Sequence, residues 1–262
     1  MLWRRRIALM VVMSSLVVVA GCAHWFGTAA DALVPVEEER KLGAELEEEL
    51  EEELEFSDDE ELVRYVRGLG NDIVGVVDER PERIHIRFHV VDDDEMINAF
   101  AIPGGGIYVY TGLLKAMDNE AELTAVLAHE IAHVTRRHIA QRLVAAYGAD
   151  LVSQMALGQE PGMVRQLVSA VAQQGFMLGY SRSQERDADE WGVRYHVDAN
   201  YNPEGFVTFF EHLAEQPSPP AFISTHPDPA ERIENVRRQI REKSDVPTRL
   251  ERERFQQMRD RI

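Results

Sequence analysis

Apolar positions fall into distinct regimes along the 262-residue chain. Ile7 to Ala20 is an uncharged apolar run. From Glu37 to Glu61 the chain is almost wholly polar, except that Leu42, Leu46, Leu50 and Leu54 recur every four residues. That spacing predicts a helix whose narrow apolar stripe packs on a domain and whose other faces are anionic and solvated. Asp58 or Asp59 is placed to cap a second helix over Glu60–Val77. Ile84 to Val91 alternates and reads as a strand, as do the shorter Asn98–Ile102 and Ile107–Tyr110, joined by the turn Pro103-Gly104-Gly105-Gly106. Beyond Thr111 the pattern is helical. A long helix is expected from Asn119, with Glu122 three residues on, to about Ala146. Further helices are expected over Ala170–Leu178, Ser183–Tyr195, Pro203–Glu215, Pro229–Lys243 and the charged Arg249–Ile262. Gly148 to Gly179 reads equally as a mobile hairpin or as core. No repeat of tetratricopeptide length is present.

The first apolar run has 14 residues, short of the roughly 20 a spanning helix needs. Arg4-Arg5-Arg6 precedes it and Val19-Ala20-Gly21-Cys22 follows, the plan of a secretory signal. The small residues resemble a bacterial lipobox. That resemblance implies a signal over residues 1–21, cleavage before an acylated Cys22, and a tether over 22–36. Ala23 in place of aspartate implies the periplasmic face of the outer membrane as destination. Cys22 is the one cysteine, which excludes an intramolecular disulfide framework and any multi-cysteine metal site.

The chain carries 28 Lys+Arg against 46 Asp+Glu, a formal charge of −18. Glu37–Glu61 alone holds 15 acidic and two basic residues, or −13. Such a chain is a poor binder of phosphate backbones, so no nucleic-acid partner is expected. The acidic block reads as a solvated helix face, with a repulsive surface that shapes partner choice as the alternative.

The chemistry is concentrated in His129-Glu130-Ile131-Ala132-His133. On a helix the two histidines lie one turn apart and about 40° apart in rotation, so both imidazoles can reach one ion. Glu130 is turned about 100° from His129 and suits a general base acting on a water at that ion. Zinc fits such a set, with three N/O ligands and a fourth position open to water. A third ligand must come from elsewhere. His138 lies nine residues from His129, half a turn round a continuous helix, and is expected to point away. Glu185 and Asp189 are four apart and share a helix face. One of them can bind the metal while the other accepts the spare N–H of a ligating histidine. His85, His89, His196 and His212 read as surface or structural.

Four blocks together resemble the HtpX, Oma and BepA/LoiP group of gluzincin metallopeptidases, in the form of its small periplasmic lipoproteins. They are Asn98-Ala99-Phe100 with Pro103-Gly104-Gly105 and Thr111-Gly112-Leu113-Leu114; Ala128 to His133; Tyr180-Ser181-Arg182 through Glu185 to Asp189 and Gly192; and Ser224-Thr225-His226-Pro227 with Glu231-Arg232-Ile233. The resemblance implies one Zn(2+) per chain on His129, His133 and Glu185, with Asp189 as the carboxylate behind them. It implies that Asn98, Ala99 and Phe100 form a substrate-facing edge strand, and that His226 either stabilises the oxyanion or caps the metal in a latent state. Asp187 stands where the group commonly has glutamate, which puts little in doubt.

The expected fold is α+β: a mainly helical zincin-like domain over 62–243 with a small sheet whose edge faces the site. The acidic helix (37–61) packs on it, and a charged helix (244–262) follows. The expected function is a membrane-tethered zinc endopeptidase that cleaves unfolded, misfolded or misassembled envelope proteins. The alternative is a non-catalytic, zinc-containing assembly factor or chaperone of the outer membrane. The oligomeric state is left open.

Overall fold

The computed structural model describes residues 34–78, 84–174, 178–214, 221–227 and 229–262. The expected signal, Cys22 and most of the expected tether lie outside the described residues. The architecture is α+β, mainly helical, with one small mixed sheet. None of the described helices is long and apolar enough to cross a membrane.

The acidic segment forms helix α1 (Val36–Glu53), and Leu42, Leu46 and Leu50 are fully buried along its inner face. Helix α2 (Glu60–Val74) starts at Asp59, whose carboxylate accepts from the backbone N–H groups of Glu61 and Leu62. These two bonds satisfy donors that a helix start leaves unpaired. Strands β1 (Arg87–Val91), β2 (Ala99–Ala101) and β3 (Gly106–Tyr110) form the sheet in the order β1-β3-β2. β1 runs parallel to β3, and β2 antiparallel, with Phe100 opposite Tyr108. β3 is buried at every position, as a central strand covered on both faces must be. β2 is the edge strand that packs on the helix carrying His129 and His133.

After the short α3 (Thr111–Lys115), helix α4 (Glu120–Thr135) is buried along all its length. With polar Glu120, Glu122, His129, Glu130 and His133 buried alongside its apolar residues, it is a core helix and not an amphipathic one. The long helix expected to reach Ala146 is interrupted here. Arg137 adopts a left-handed conformation (φ 56°), and a new helix α5 (His138–Tyr147) starts behind it. The Gly148–Gly179 region carries helices α6 (Ala149–Ala156) and α7 (Pro161–Gln174), so the helix expected to start at Ala170 begins earlier. Val152, Met155, Val164, Leu167, Val168 and Val171 are buried, and α7 packs against α1.

Helix α8 (Arg182–Asp198) opens with a reciprocal capping box between Ser181 and Gln184 and packs along α4. Gly192 makes that approach possible: a Cβ there would lie 3.3 Å from the His129 backbone. Helices α9 (Glu204–Ala214), α10 (Ala221–Thr225), α11 (Pro229–Glu242) and α12 (Arg252–Arg259) complete the fold.

Candidate metal centre

Three elements converge on one buried point. α4 supplies His129 and His133, whose Nε2 atoms lie 3.0 Å apart. α8 supplies Glu185, with Oε1 3.4 Å from His133 Nε2 and Oε2 3.5 Å from His129 Nε2. The segment after α10 supplies His226, with Nδ1 3.2 Å from His129 Nε2 and 3.1 Å from Glu185 Oε1. One donor atom from each of the four lies within 4.8 Å of every other, and all four residues are buried.

The set fits a tetrahedral metal such as zinc. Ligand bonds of about 2.0–2.2 Å in a tetrahedron put donor atoms about 3.3–3.6 Å apart, close to the spacings here. The chemistry agrees: imidazole and carboxylate are ordinary zinc ligands, and a buried cluster of lone pairs needs a cation to offset it.

Glu130 faces the same point without joining the set. Its two oxygens are buried and accept no hydrogen bond among the described residues, and Oε1 lies 3.4 Å from His226 Nε2. Burial pushes the Glu130 carboxyl up from its usual range, against the pull of His226 and His129. Burial likewise holds the His133 ring well below the usual imidazole range, which keeps it neutral as a ligand must be.

Behind the donors stands a second layer. Asp189 Oδ1 lies 3.0 Å from His129 Nδ1 and accepts its N–H. Arg232, on α11, is buried, donates to both oxygens of Asp189 at 2.8 and 2.6 Å, and places Nη1 2.7 Å from Glu185 Oε2. Its guanidinium also covers the Phe210 ring at 4.3 Å. Tyr180 stacks on His133 with ring centroids 3.7 Å apart. His138 does not point away: it is buried, and its Nδ1 lies 3.0 Å from His133 Nδ1. The expectation assumed a continuous helix, and the break at Arg137 re-aims the ring. Asp187, set aside as inconsequential, lies 3.2 Å from His138 Nε2 and pairs with Arg136. Arg232 and Tyr180 lie inside the resembling blocks, where the sequence gives them no role; their presence there is their one sequence signal.

The edge strand is close but covered. Phe100 and Ala101 line a tight recess together with Tyr180, Thr225 and His226. Phe222 at the start of α10 donates its N–H to Ile97 O, just ahead of β2. Asn98 is buried and turns its side-chain oxygen back to the Ala99 N–H. Among the described residues, the other four histidines join no cluster of candidate metal ligands. His85 is exposed, His89 pairs with Glu47, His212 with Glu122, and His196 is bonded to α4.

A buried HExxH helix, a carboxylate on a neighbouring helix and a sheet edge alongside define a metallopeptidase domain. Residues 64–240 match peptidase family M48, and the chain belongs to that family. It is 32% identical over 237 residues to the beta-barrel assembly-enhancing protease of Yersinia pestis, covering 85% of this chain and 48% of that protein. It is 32% identical over 183 residues to the metalloprotease LoiP of Escherichia coli, covering 67% and 68% respectively. Its match to the mitochondrial metalloendopeptidase OMA1 of Schizosaccharomyces pombe is 32% over 152 residues, covering 56% and 44%. The chain thus spans about half the length of the assembly-enhancing proteases it matches.

Proposed function

We propose that this protein is a zinc-dependent endopeptidase of the bacterial cell envelope that cleaves misfolded or misassembled envelope proteins. The observation that carries the reading is Glu130: a buried carboxylate that accepts no hydrogen bond among the described residues, beside four convergent metal donors. A structural metal site has no use for such a base.

In this reading His129, His133 and Glu185 hold the ion. Bound there, zinc supplies a Lewis acid for the scissile carbonyl and a nucleophilic water at neutral pH. Glu130 takes the proton of the attacking water at a carboxylate oxygen and delivers it to the departing amine. Asp189 keeps the His129 proton on Nδ1 and so leaves Nε2 free for the metal. β2, from Asn98 through Ala99 and Phe100, offers main-chain groups to an extended peptide, a mode that asks little of substrate side chains. His226 serves as a resting cap. Its ring supplies a fourth donor, and the segment that carries it lies over the recess beside β2.

The envelope setting is supported by the names of the bacterial relatives and by the signal-like residues ahead of Cys22. Acylation of Cys22 tethers the domain to the membrane, at the periplasmic face of the outer membrane. Comparison of wild type with Glu130→Gln for zinc content and for cleavage of an unfolded protein tests the reading. Equal zinc with cleavage lost is the expected result. Equal cleavage by both proteins sinks it, and zinc without cleavage in either leaves the assembly-factor alternative standing.

A further inference from the structure

We propose that His138, backed by Asp187 and Arg136, is a positioning residue that fixes the ring and the proton of His133. The inference rests on the reading of His129, His133 and Glu185 as the zinc ligands, and adds a support that the ligand set does not contain.

Geometry comes first. Five residues along an unbroken helix rotate a side chain by about 500°, leaving His133 and His138 about 140° apart and unable to meet. The left-handed turn at Arg137 ends α4 and starts α5, and it brings the two rings to 5.1 Å between centroids at 71°. Their Nδ1 atoms lie 3.0 Å apart, with both residues buried. Two imidazole nitrogens at that distance share one hydrogen, so one ring donates and the other accepts.

The direction follows from the metal side. His133 turns Nε2 toward His129 Nε2 and Glu185 Oε1. A ligating nitrogen carries no hydrogen, so the His133 hydrogen sits on Nδ1 and is donated to His138 Nδ1. His138 then holds its own hydrogen on Nε2, where Asp187 Oδ2 accepts it at 3.2 Å. Asp187 in turn accepts from Arg136 Nε at 2.8 Å. Each proton position is set by the one before it, from the buried ligand out to a half-exposed ion pair.

The ring of His133 is thereby constrained twice. Tyr180, stacked at 3.7 Å, restricts the plane. His138 decides which nitrogen faces the metal within that plane. The arrangement parallels the other ligand: Asp189 and Arg232 stand behind His129 as His138, Asp187 and Arg136 stand behind His133. Losing such a partner typically weakens metal binding by about 10- to 100-fold.

The test uses the purified protein without its signal, with zinc affinity read by competition against a chromophoric chelator and site symmetry read from the visible spectrum of the cobalt-substituted protein. His138→Ala is expected to bind zinc about 10- to 100-fold more weakly and to alter the cobalt spectrum, while the metal-free protein keeps its circular dichroism. Asp187→Ala is expected to weaken binding less, and the double variant to be no weaker than His138→Ala, because Asp187 acts through His138. His138→Gln, whose amide oxygen can accept from His133, is expected to recover part of the affinity. Wild-type affinity in His138→Ala, or strict additivity in the double variant, overturns the relay. If His138→Ala does not fold, unchanged affinity in both His138→Gln and Asp187→Ala overturns it. A wild-type protein that does not bind zinc fails the ligand reading itself, which is a different result.

Discussion

Nδ1 of His226 lies 3.2 Å from Nε2 of His129 and 3.1 Å from Oε1 of Glu185, the place a water or a substrate carbonyl would take in the proposed enzyme. A fourth protein ligand turns an open catalytic site into a closed one. His226→Ala is therefore expected to cleave an unfolded protein several-fold faster than wild type, measured at saturating zinc. Slower cleavage by the variant would reverse the assignment and make His226 a stabiliser of the oxyanion.

Much of this centre is legible in the residues alone. His129 and His133 are one turn apart, Glu185 and Asp189 are one turn apart, and both spacings survive intact because each pair rides on a continuous helix. What was not legible depends on contacts made at long range. The break after Thr135 contains no glycine or proline; it is an arginine in a left-handed conformation, held there by Glu39 Oε2 at 2.9 Å and by the carbonyl of Val34. Those partners lie about a hundred positions upstream, so no local pattern marks the turn, and the place of His138 was lost with it. Arg232 was obscure for a similar reason. On an otherwise charged helix an arginine reads as solvated, and only Asp189 and Glu185 on another helix make it a buried ion.

Arg232 also carries a stability consequence. Its guanidinium is buried against Asp189 and Glu185, and removing one member of a buried ion cluster costs about 3–5 kcal/mol because the other charges lose their partner. Arg232→Leu is expected to lose stability of that order in urea titrations of the metal-free protein. Zinc should restore a share of it, since a cation beside Glu185 replaces the missing positive charge. A variant as stable as wild type without metal would contradict the burial of this charge.

Gly43 marks where the acidic helix meets the β2–β3 turn. A Cβ built there falls 2.0 Å from the carbonyl oxygen of Pro103, a backbone atom that cannot swing aside. Gly43→Ala gains helix propensity worth up to about 1 kcal/mol, yet must push α1 off the sheet. Overpacking of this kind costs about 1–3 kcal/mol, so the variant is expected to be less stable than wild type. Gly68→Ala, on α2, meets nothing within 4 Å and serves as the control that should not lose stability. Equal melting temperatures for Gly43→Ala and wild type would show that α1 is not held at this contact.

His196 predicts how the domain responds to acid. The ring is buried, and its Nε2 is within hydrogen-bond reach of Ala121 O at 3.1 Å and Thr124 Oγ1 at 2.9 Å; Nδ1 has no partner among the described residues. Burial holds the imidazole at about 3, below its ordinary value of 6.5. The folded ring therefore stays neutral while the same ring in the unfolded chain takes up a proton below about pH 6.5. The unfolded state binds more protons, so stability falls as pH drops through 6.5, by up to about 1.4 kcal/mol per unit, and this loss continues towards pH 3. His196→Gln keeps a donor for Ala121 O and removes the titration. Urea midpoints of the two proteins between pH 7 and pH 5 should diverge, with wild type losing more; parallel decline would show that other groups set the acid sensitivity.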